Sequence, residues 1–372
     1  MPAERTLAGR ALTGPVLTAD QLAETAAFIA SQQRPDGGIP WFAGGPLDPW
    51  DHVESAMALS AAGLVDAAER AYAFSAATQR DDGSWPMTER DGTVEDAAAD
   101  TNQCLYLATG VWHHFRVTGD AGFLARRWPA VRRAVDLVVS VQRPGGELPW
   151  AIDPRGVPQD HALLTGSSSA VQSLRCAGAI AARLGVETLG LRAAESRLAH
   201  AVRAHPERFA DRSRWSMDWY YPVLAGVVRG PAARRRLARG WPAFVEAGRG
   251  VRCVADRPWF TVAESCELVL ALHAVGDVDR ARRVFADVQH LRDGDGAYWT
   301  GYVPDDGAVW PQERTTWTAA AVLLAADALA GTSGGHDLFT EATDAGAAAE
   351  AAESPDVVDV TDCACPAAVA GS

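Results

Sequence analysis

Apolar residues recur at three- and four-residue intervals in "AMALSAAGLVDAAERAYAFSAATQ" (56–79) and "ESCELVLALHAVGDVDRARRVFADVQ" (264–289). That spacing lays them along helix faces, and a strand-like alternation of period two is nearly absent. Each stretch is broken by a glycine, Gly63 in the first and Gly276 in the second, and comparable breaks stand at Gly119, Gly185 and Gly230. A glycine after a helix adopts the left-handed conformation cheaply and lets the chain turn into an antiparallel partner. Five helix–glycine–helix hairpins result, with a lone helix over 20–33 before them and another over 313–330 after them. Pairing the last helix with the first closes six hairpins into a ring. The pattern therefore predicts an all-α fold, an (α/α)6 barrel of six helical hairpins and twelve main helices. One helix of each hairpin lines the centre and the other forms the outside. The expected organisation is an N-terminal extension (1–19), one barrel domain (20–331) and a disordered acidic tail (332–372).

The junctions between hairpins repeat a phrase. "QRDDGSWP" (79–86) has relatives in "QQRPDGGIPW" (Gln33, Trp41), "QRPGGELPW" (Gln142, Trp150) and "QHLRDGDGAYW" (Gln289, Trp299). Phe28, Phe74 and Leu137 precede their glutamines by five residues, and Phe285 precedes Gln289 by four. A glutamine amide can bond backbone groups left free near helix ends, and a tryptophan can cover them. The phrase reads as a structural staple.

"FSAATQRDDGSW" resembles the QW repeat of the terpenoid cyclase and prenyltransferase α/α toroids, which include the squalene–hopene cyclases. The four phrases spread the resemblance over residues 28 to 299. It implies a toroid, an isoprenoid substrate and acid-initiated carbocation chemistry. The family's protonating Asp-x-Asp-Asp run is absent, and "DPWDHVE" (48–54) is the nearest acidic cluster. "DTNQC" and "CVAD" lack the spacing of the zinc ligands of protein prenyltransferases. Six-hairpin glycosidases share the same barrel topology.

The 372 residues, 48% hydrophobic, suffice for a large core. Of the net charge of -13, much lies in the tail, where acids from Asp337 to Asp362 meet no Lys or Arg. That argues against nucleic acid or an anionic membrane as partner. No apolar run is long enough for a membrane span, and the N-terminus lacks a secretory core, so the expected location is cytoplasmic. The six cysteines read as free thiols, Cys363 and Cys365 among them. No cofactor is indicated, and no motif calls for a divalent metal such as Mg.

All six inner helices should begin at one mouth of the ring, and their starts are polar and aromatic. The first carries Asp48, Trp50, Asp51, His52 and Glu54, and the second Asp96, Asp100, Asn102 and Gln103. The third offers Asp160, His161 and hydroxyls from Thr165 to Ser169, and the fourth Asp218, Trp219, Tyr220 and Tyr221. The fifth has Trp259, Glu264 and Glu267, and the last Glu313, Arg314 and Trp317. Asp48, Glu95 and Glu313 also suit plain helix capping. Glu54, Asp100 and Glu264 lie where their helices have become apolar, and a buried carboxylate is costly unless paired or functional.

The candidate catalytic residues are thus Glu54, Asp100, Asp218, Glu264 and Asp51. The candidate substrate-binding residues are Trp50, His52, Asn102, Trp219, Tyr220, Trp259, Glu313, Arg314 and Trp317. Two enzymes fit this wall. A terpenoid cyclase would protonate an isoprenoid and steer the cation with ring faces. A six-hairpin glycoside hydrolase would flank a glycosidic bond with two carboxylates. The resemblance selects the cyclase as the main expectation, with the hydrolase second and a non-catalytic lipid- or glycan-binding toroid third.

Overall fold

The structure, a computed structural model, describes residues 15–340 with the exception of 188. Twelve α-helices run through the described residues in the expected order. They are α1 (Ala19–Gln32), α2 (Pro49–Ala61), α3 (Val65–Thr78), α4 (Thr101–Thr118), α5 (Ala121–Ser140) and α6 (Leu164–Leu184). They continue with α7 (Leu189–Ala204), α8 (Ser216–Leu224), α9 (Gly230–Phe244), α10 (Val262–Ala274), α11 (Val278–Asp287) and α12 (Thr316–Ala330). The even-numbered helices pack side by side in one closed circuit, α2 on α4 and so on to α12, which returns to α2. Each pairs with an odd-numbered outer helix, and α12 takes α1. The (α/α)6 barrel read from the apolar spacing is the fold. The five glycine breaks all have positive φ, from 55° at Gly230 to 78° at Gly63, which a side chain would strain.

Three of the four repeated phrases do the same mechanical job. Gln79 Nε2 donates to the carbonyls of Gly83 in its own turn (2.8 Å) and of Ala130 in α5 (2.9 Å). Gln33 does so to Gly37 and Ala67 of α3, and Gln142 to Gly146 and Ala194 of α7. Their oxygens accept from Arg133, Arg70 and Arg197 on those same helices. Each glutamine therefore clamps one outer helix to the next. The turn glycines press against the neighbouring backbone, where a Cβ on Gly83 would lie 2.5 Å from the Arg133 carbonyl oxygen. Gln289 departs from the pattern, donating to Phe285 in α11, the helix that precedes it. There Thr25 of α1 makes the lateral bond instead, to the Gly296 carbonyl at 2.9 Å.

Short strands decorate the mouth. Antiparallel pieces at 245–246, 250–252, 260–261, 301–303 and 308–309 form one sheet that leads directly into α10, and residues 88–90 pair with 93–96. Beyond Gly331 the chain packs back on the barrel. Asp337 pairs with Arg116 (2.7 Å), and the Leu338 carbonyl accepts from Gln172 (3.1 Å). The rest of the expected tail, from 341, and the extension over 1–14 lie outside the described residues, Cys363 and Cys365 included. Among the described residues no helix is long and apolar enough to cross a membrane.

Candidate active site at the ring centre

Asp48 is the N-cap of α2, its Oδ1 accepting from the backbone N–H of Trp50 (2.9 Å) and Asp51 (3.0 Å). Its Oδ2 takes the indole N–H of Trp41 at 2.6 Å. The tryptophan that closes the first staple is thus wired to the mouth of the ring. Asp51 is the third residue of α2, and Glu264 is the third residue of α10. The two carboxylates therefore start from the same depth on helices that flank α12. Glu54 and Glu267 follow three residues later, about 4.5 Å deeper along each helix.

The deeper pair is held by aromatic groups. Trp50 Nε1 donates to Glu54 Oε2 (2.9 Å), and the Tyr106 hydroxyl donates to the same oxygen (3.3 Å). The Trp50 indole stacks flat on Tyr106, with centroids 4.2 Å apart and planes 2° from parallel, while Tyr221 meets it edge-on at 5.9 Å. Trp317 approaches Glu54 from α12, yet its Nε1 completes no hydrogen bond. On the far side the Tyr220 hydroxyl donates to Glu267 Oε2, and Glu267 Oε1 is buried without a partner.

Burial dominates the electrostatics. It pushes Glu54 up to about 7 against the hydrogen bonds of Trp50 and Tyr106. Glu267 is raised well above the usual carboxylate range by burial and then by the charge of Glu54. Asp51 is raised likewise, by burial first and then by Asp48, Glu54 and Glu267. Near the mouth, burial lifts Asp100 to about 6 although it accepts from the backbone of Gln103 and Asn102. Burial and the adjoining Glu264 also push the Cys253 thiol up.

The other predicted residues are distributed differently. Asn102 lies at the start of α4, its Oδ1 buried and unpartnered. His52 faces away from the axis. Its Nδ1 accepts from the Ile39 N–H (3.1 Å), while its Nε2 meets the Ala71 carbonyl (3.0 Å) and Ser75 Oγ (3.1 Å), bracing α2 against α3. Asp218 accepts from Thr165 Oγ1 (2.6 Å), and Trp219 stacks on Phe244 with its Nε1 bonded to the Arg236 carbonyl. Both border a cavity between α8 and α9 rather than the axis. Glu313 and Arg314 border another outside the ring, where Arg314 pairs with Asp293 (2.8 Å) and Asp295 (2.9 Å). Trp259 stands half-exposed on the rim sheet against Trp310. The caps expected at Glu95 and Glu313 are in fact Asp100 and Thr315. Glu95 instead pairs with Arg90, and Asp96 and Asp160 are exposed.

Sequence reasoning missed Tyr106 and Trp310, and it filed Trp41 under the staple. Tyr106 carried a signal, falling one helical turn after Asn102 and Gln103. Among the described residues, no group of three or more His, Cys, Asp or Glu side chains could hold a metal ion.

No family model matches the chain. A relative from Mycolicibacterium hassiacum, named MMP endo-(1,4)-3-O-methyl-alpha-D-mannosidase, is 55% identical over 324 residues, spanning 87% of this chain and 90% of its own length. The chain belongs to this glycosidase family. The fold agrees with that of a glycosidase variant solved with glucose, at 17% identity and TM-score 0.69 over 84% of this chain and 96% of that one. It agrees also with the GH63 mannosylglycerate hydrolase from Thermus thermophilus in complex with glucose. Here identity is 15% and TM-score 0.67, over 81% of this chain and 99% of that one.

The family corrects the main expectation. The chain is a glycosidase and neither a terpenoid cyclase nor a prenyltransferase, and the isoprenoid substrate falls with that reading. The QW-like phrases misled because they clamp outer helices together, a task any ring of hairpins sets whatever its centre does. The glycosidase, second in the sequence reading, is the alternative that stands.

Proposed function

We propose that the protein is an endo-acting α-mannosidase that cleaves (1,4)-linked chains of 3-O-methylated mannose, with Asp51 as general acid and Glu264 as the second carboxylate. The observation that carries the substrate is the 55% identity to the M. hassiacum enzyme over nearly the whole barrel. The roles of Asp51 and Glu264 are supported by their matched positions on α2 and α10.

Asp51 suits the acid role because burial and three neighbouring carboxylates favour its protonated form at neutral pH. It can then protonate the oxygen of the leaving sugar as the glycosidic bond breaks. Glu264, at the matching position on α10 one inner helix away, would activate water or stabilise the positive charge developing at the sugar carbon. Asp48 and Glu54 flank Asp51 and disfavour its ionisation. The Trp50–Tyr106 stack is itself buried and holds Glu54 in place, while the partly buried Trp317 offers a flat apolar ring to a pyranose. The buried free thiols Cys104, Cys176, Cys253 and Cys266 support a reducing, cytoplasmic setting.

The test is incubation with α-(1,4)-linked 3-O-methylmannose oligosaccharides, with unmethylated mannosides and with polyprenyl diphosphates. Internal cleavage of the first set is the expected result. Failure to release any shorter mannoside from the methylated chains would remove the proposal.

A further inference from the structure

A cavity of about 370 Å3 lies between α2, α3 and α4, under the hairpin of residues 88–96. Its walls are largely apolar, with Leu47, Val53, Phe74, Trp85 and Leu107 contributing. Its polar groups are mostly engaged within the protein. Arg34 pairs with Asp36 (3.0 Å) and Glu89 (2.7 Å), both His52 nitrogens are bonded, and the Trp85 indole donates to the Ser75 carbonyl (2.8 Å). One group stands apart. Gln103 Oε1 is buried and has no hydrogen-bond partner. Val94, 48% exposed, lines the cavity from the hairpin and is among the few large apolar side chains left open to solvent among the described residues.

The cavity lies at the same end of the barrel as the candidate carboxylates, between the inner helices α2 and α4 and the outer helix α3. Leu47 and Pro49 flank Asp48 in sequence, and Gln103 lies three residues beyond Asp100, at the mouth where α2 and α4 begin.

We infer that this cavity is a subsite for an O-methylated sugar unit of the substrate chain, an inference that rests on the proposed mannosidase function and extends it. An unmodified hexose carries several hydroxyls, and each one buried without a partner is costly. The cavity offers one buried vacant acceptor amid apolar surface, a poor match for that set. A methyl ether removes one donor and adds apolar surface, which Leu107, Val53 and Phe74 can cover. A remaining hydroxyl can donate to Gln103 Oε1. The volume falls within the range of small-ligand sites.

The experiment compares kcat/KM for 3-O-methylated and unmethylated α-(1,4)-mannooligosaccharides in the wild type and in Leu107→Asn, Leu107→Met and Val94→Asp. Binding of 3-O-methyl-D-mannose and of D-mannose to the wild type is followed separately by saturation-transfer NMR. The wild type is expected to prefer the methylated chain roughly tenfold, as for a methyl-sized difference in an apolar pocket. Leu107→Asn and Val94→Asp should lose most of that preference through KM, with kcat largely kept, while Leu107→Met keeps it. Val94 is exposed, so that variant stays informative should Leu107→Asn fail to fold. An undiminished preference in a folded Val94→Asp or Leu107→Asn protein overturns the subsite. Should the wild type cleave neither chain, the mannosidase reading fails, and the NMR arm still decides the cavity. Tighter binding of the methylated sugar, with magnetisation transfer from Leu107 or Val94 methyl groups, supports it, and equal binding overturns it.

Discussion

Glu54 of α2 and Glu267 of α10 face each other at the floor of the ring, each accepting a phenolic hydrogen bond, from Tyr106 and Tyr220 respectively. The charge of Glu54 also raises the cost of ionising Glu267. The floor is thus built to hold protons at neutral pH.

Stability should therefore fall as pH rises. Burial lifts Glu54 from an ordinary value of 4.5 to about 7 in the folded chain. Below 4.5 both folded and unfolded states are protonated and the stabilising contribution is fully present. Between 4.5 and 7 the unfolded chain has released its proton while the folded one holds it, so the contribution is lost progressively, on the order of 3 kcal/mol across the window. Urea denaturation at about pH 5 and about pH 8, on either side of most of that window, checks this, and Glu54→Gln should flatten the difference. A wild type equally stable at both pH values would contradict the assignment.

Asp51→Asn and Glu264→Gln should each lower kcat by about 10²–10⁴, the usual worth of a positioned acid or base. Neither should lower the melting temperature, because a neutral amide removes a buried acid without changing shape. Asp218→Asn provides the contrast, since its carboxylate answers to Thr165 at the edge of an outer cavity. That variant is expected to keep turnover within a few-fold of wild type on methylated mannosides. Loss of turnover in Asp218→Asn with wild-type rates in Asp51→Asn would reverse the assignment.

The staples predict stability without chemistry. Gln79→Ala strips the bonds that join the 79–83 turn to Ala130 of α5 and leaves those carbonyls short of a donor. The expected loss is about 1–3 kcal/mol, read by denaturant titration, with kcat unchanged in the folded fraction. A fall in kcat at full folding would mean that the staple reaches the active centre.

The ring was legible in the sequence because hairpin turns need glycines of positive φ, and Gly63, Gly119 and Gly185 announce them. Which way the inner side chains point was not. In α2 every residue from Trp50 to Ser60 is buried, so no polar face marks the side turned to the axis. Adjacent positions then diverge, with Asp51 directed to the centre and His52 to α3. Capping and site chemistry also coincide at Asp48, which closes the helix with one oxygen and binds Trp41 with the other. A residue that does both jobs looks like a simple cap in one dimension. The same ambiguity hid the chemistry, since a phrase shared by toroids of different activity reports on the hairpins alone.

Trp310 supplies the last prediction. It is 56% exposed, the most open of the large apolar side chains among the described residues. Its ring nevertheless has a fixed neighbour. Trp259 meets it edge-to-face at 4.8 Å and donates its Nε1 to the Trp310 carbonyl (2.7 Å), while the Trp310 N–H is held by Gly301 (3.0 Å). Trp259 in turn precedes Glu264 by three extended steps and two helical ones, at most about 13 Å of chain. An indole pinned in place loses little conformational freedom when a sugar ring stacks on it. Trp310→Ala should therefore raise KM several-fold for long methylmannose chains, leave the shortest cleavable substrate unaffected, and leave the melting temperature unchanged. Measuring kcat and KM against chain length separates this from a general defect. An increase in KM that is equal for all lengths would place the effect at the catalytic centre and remove the rim contact.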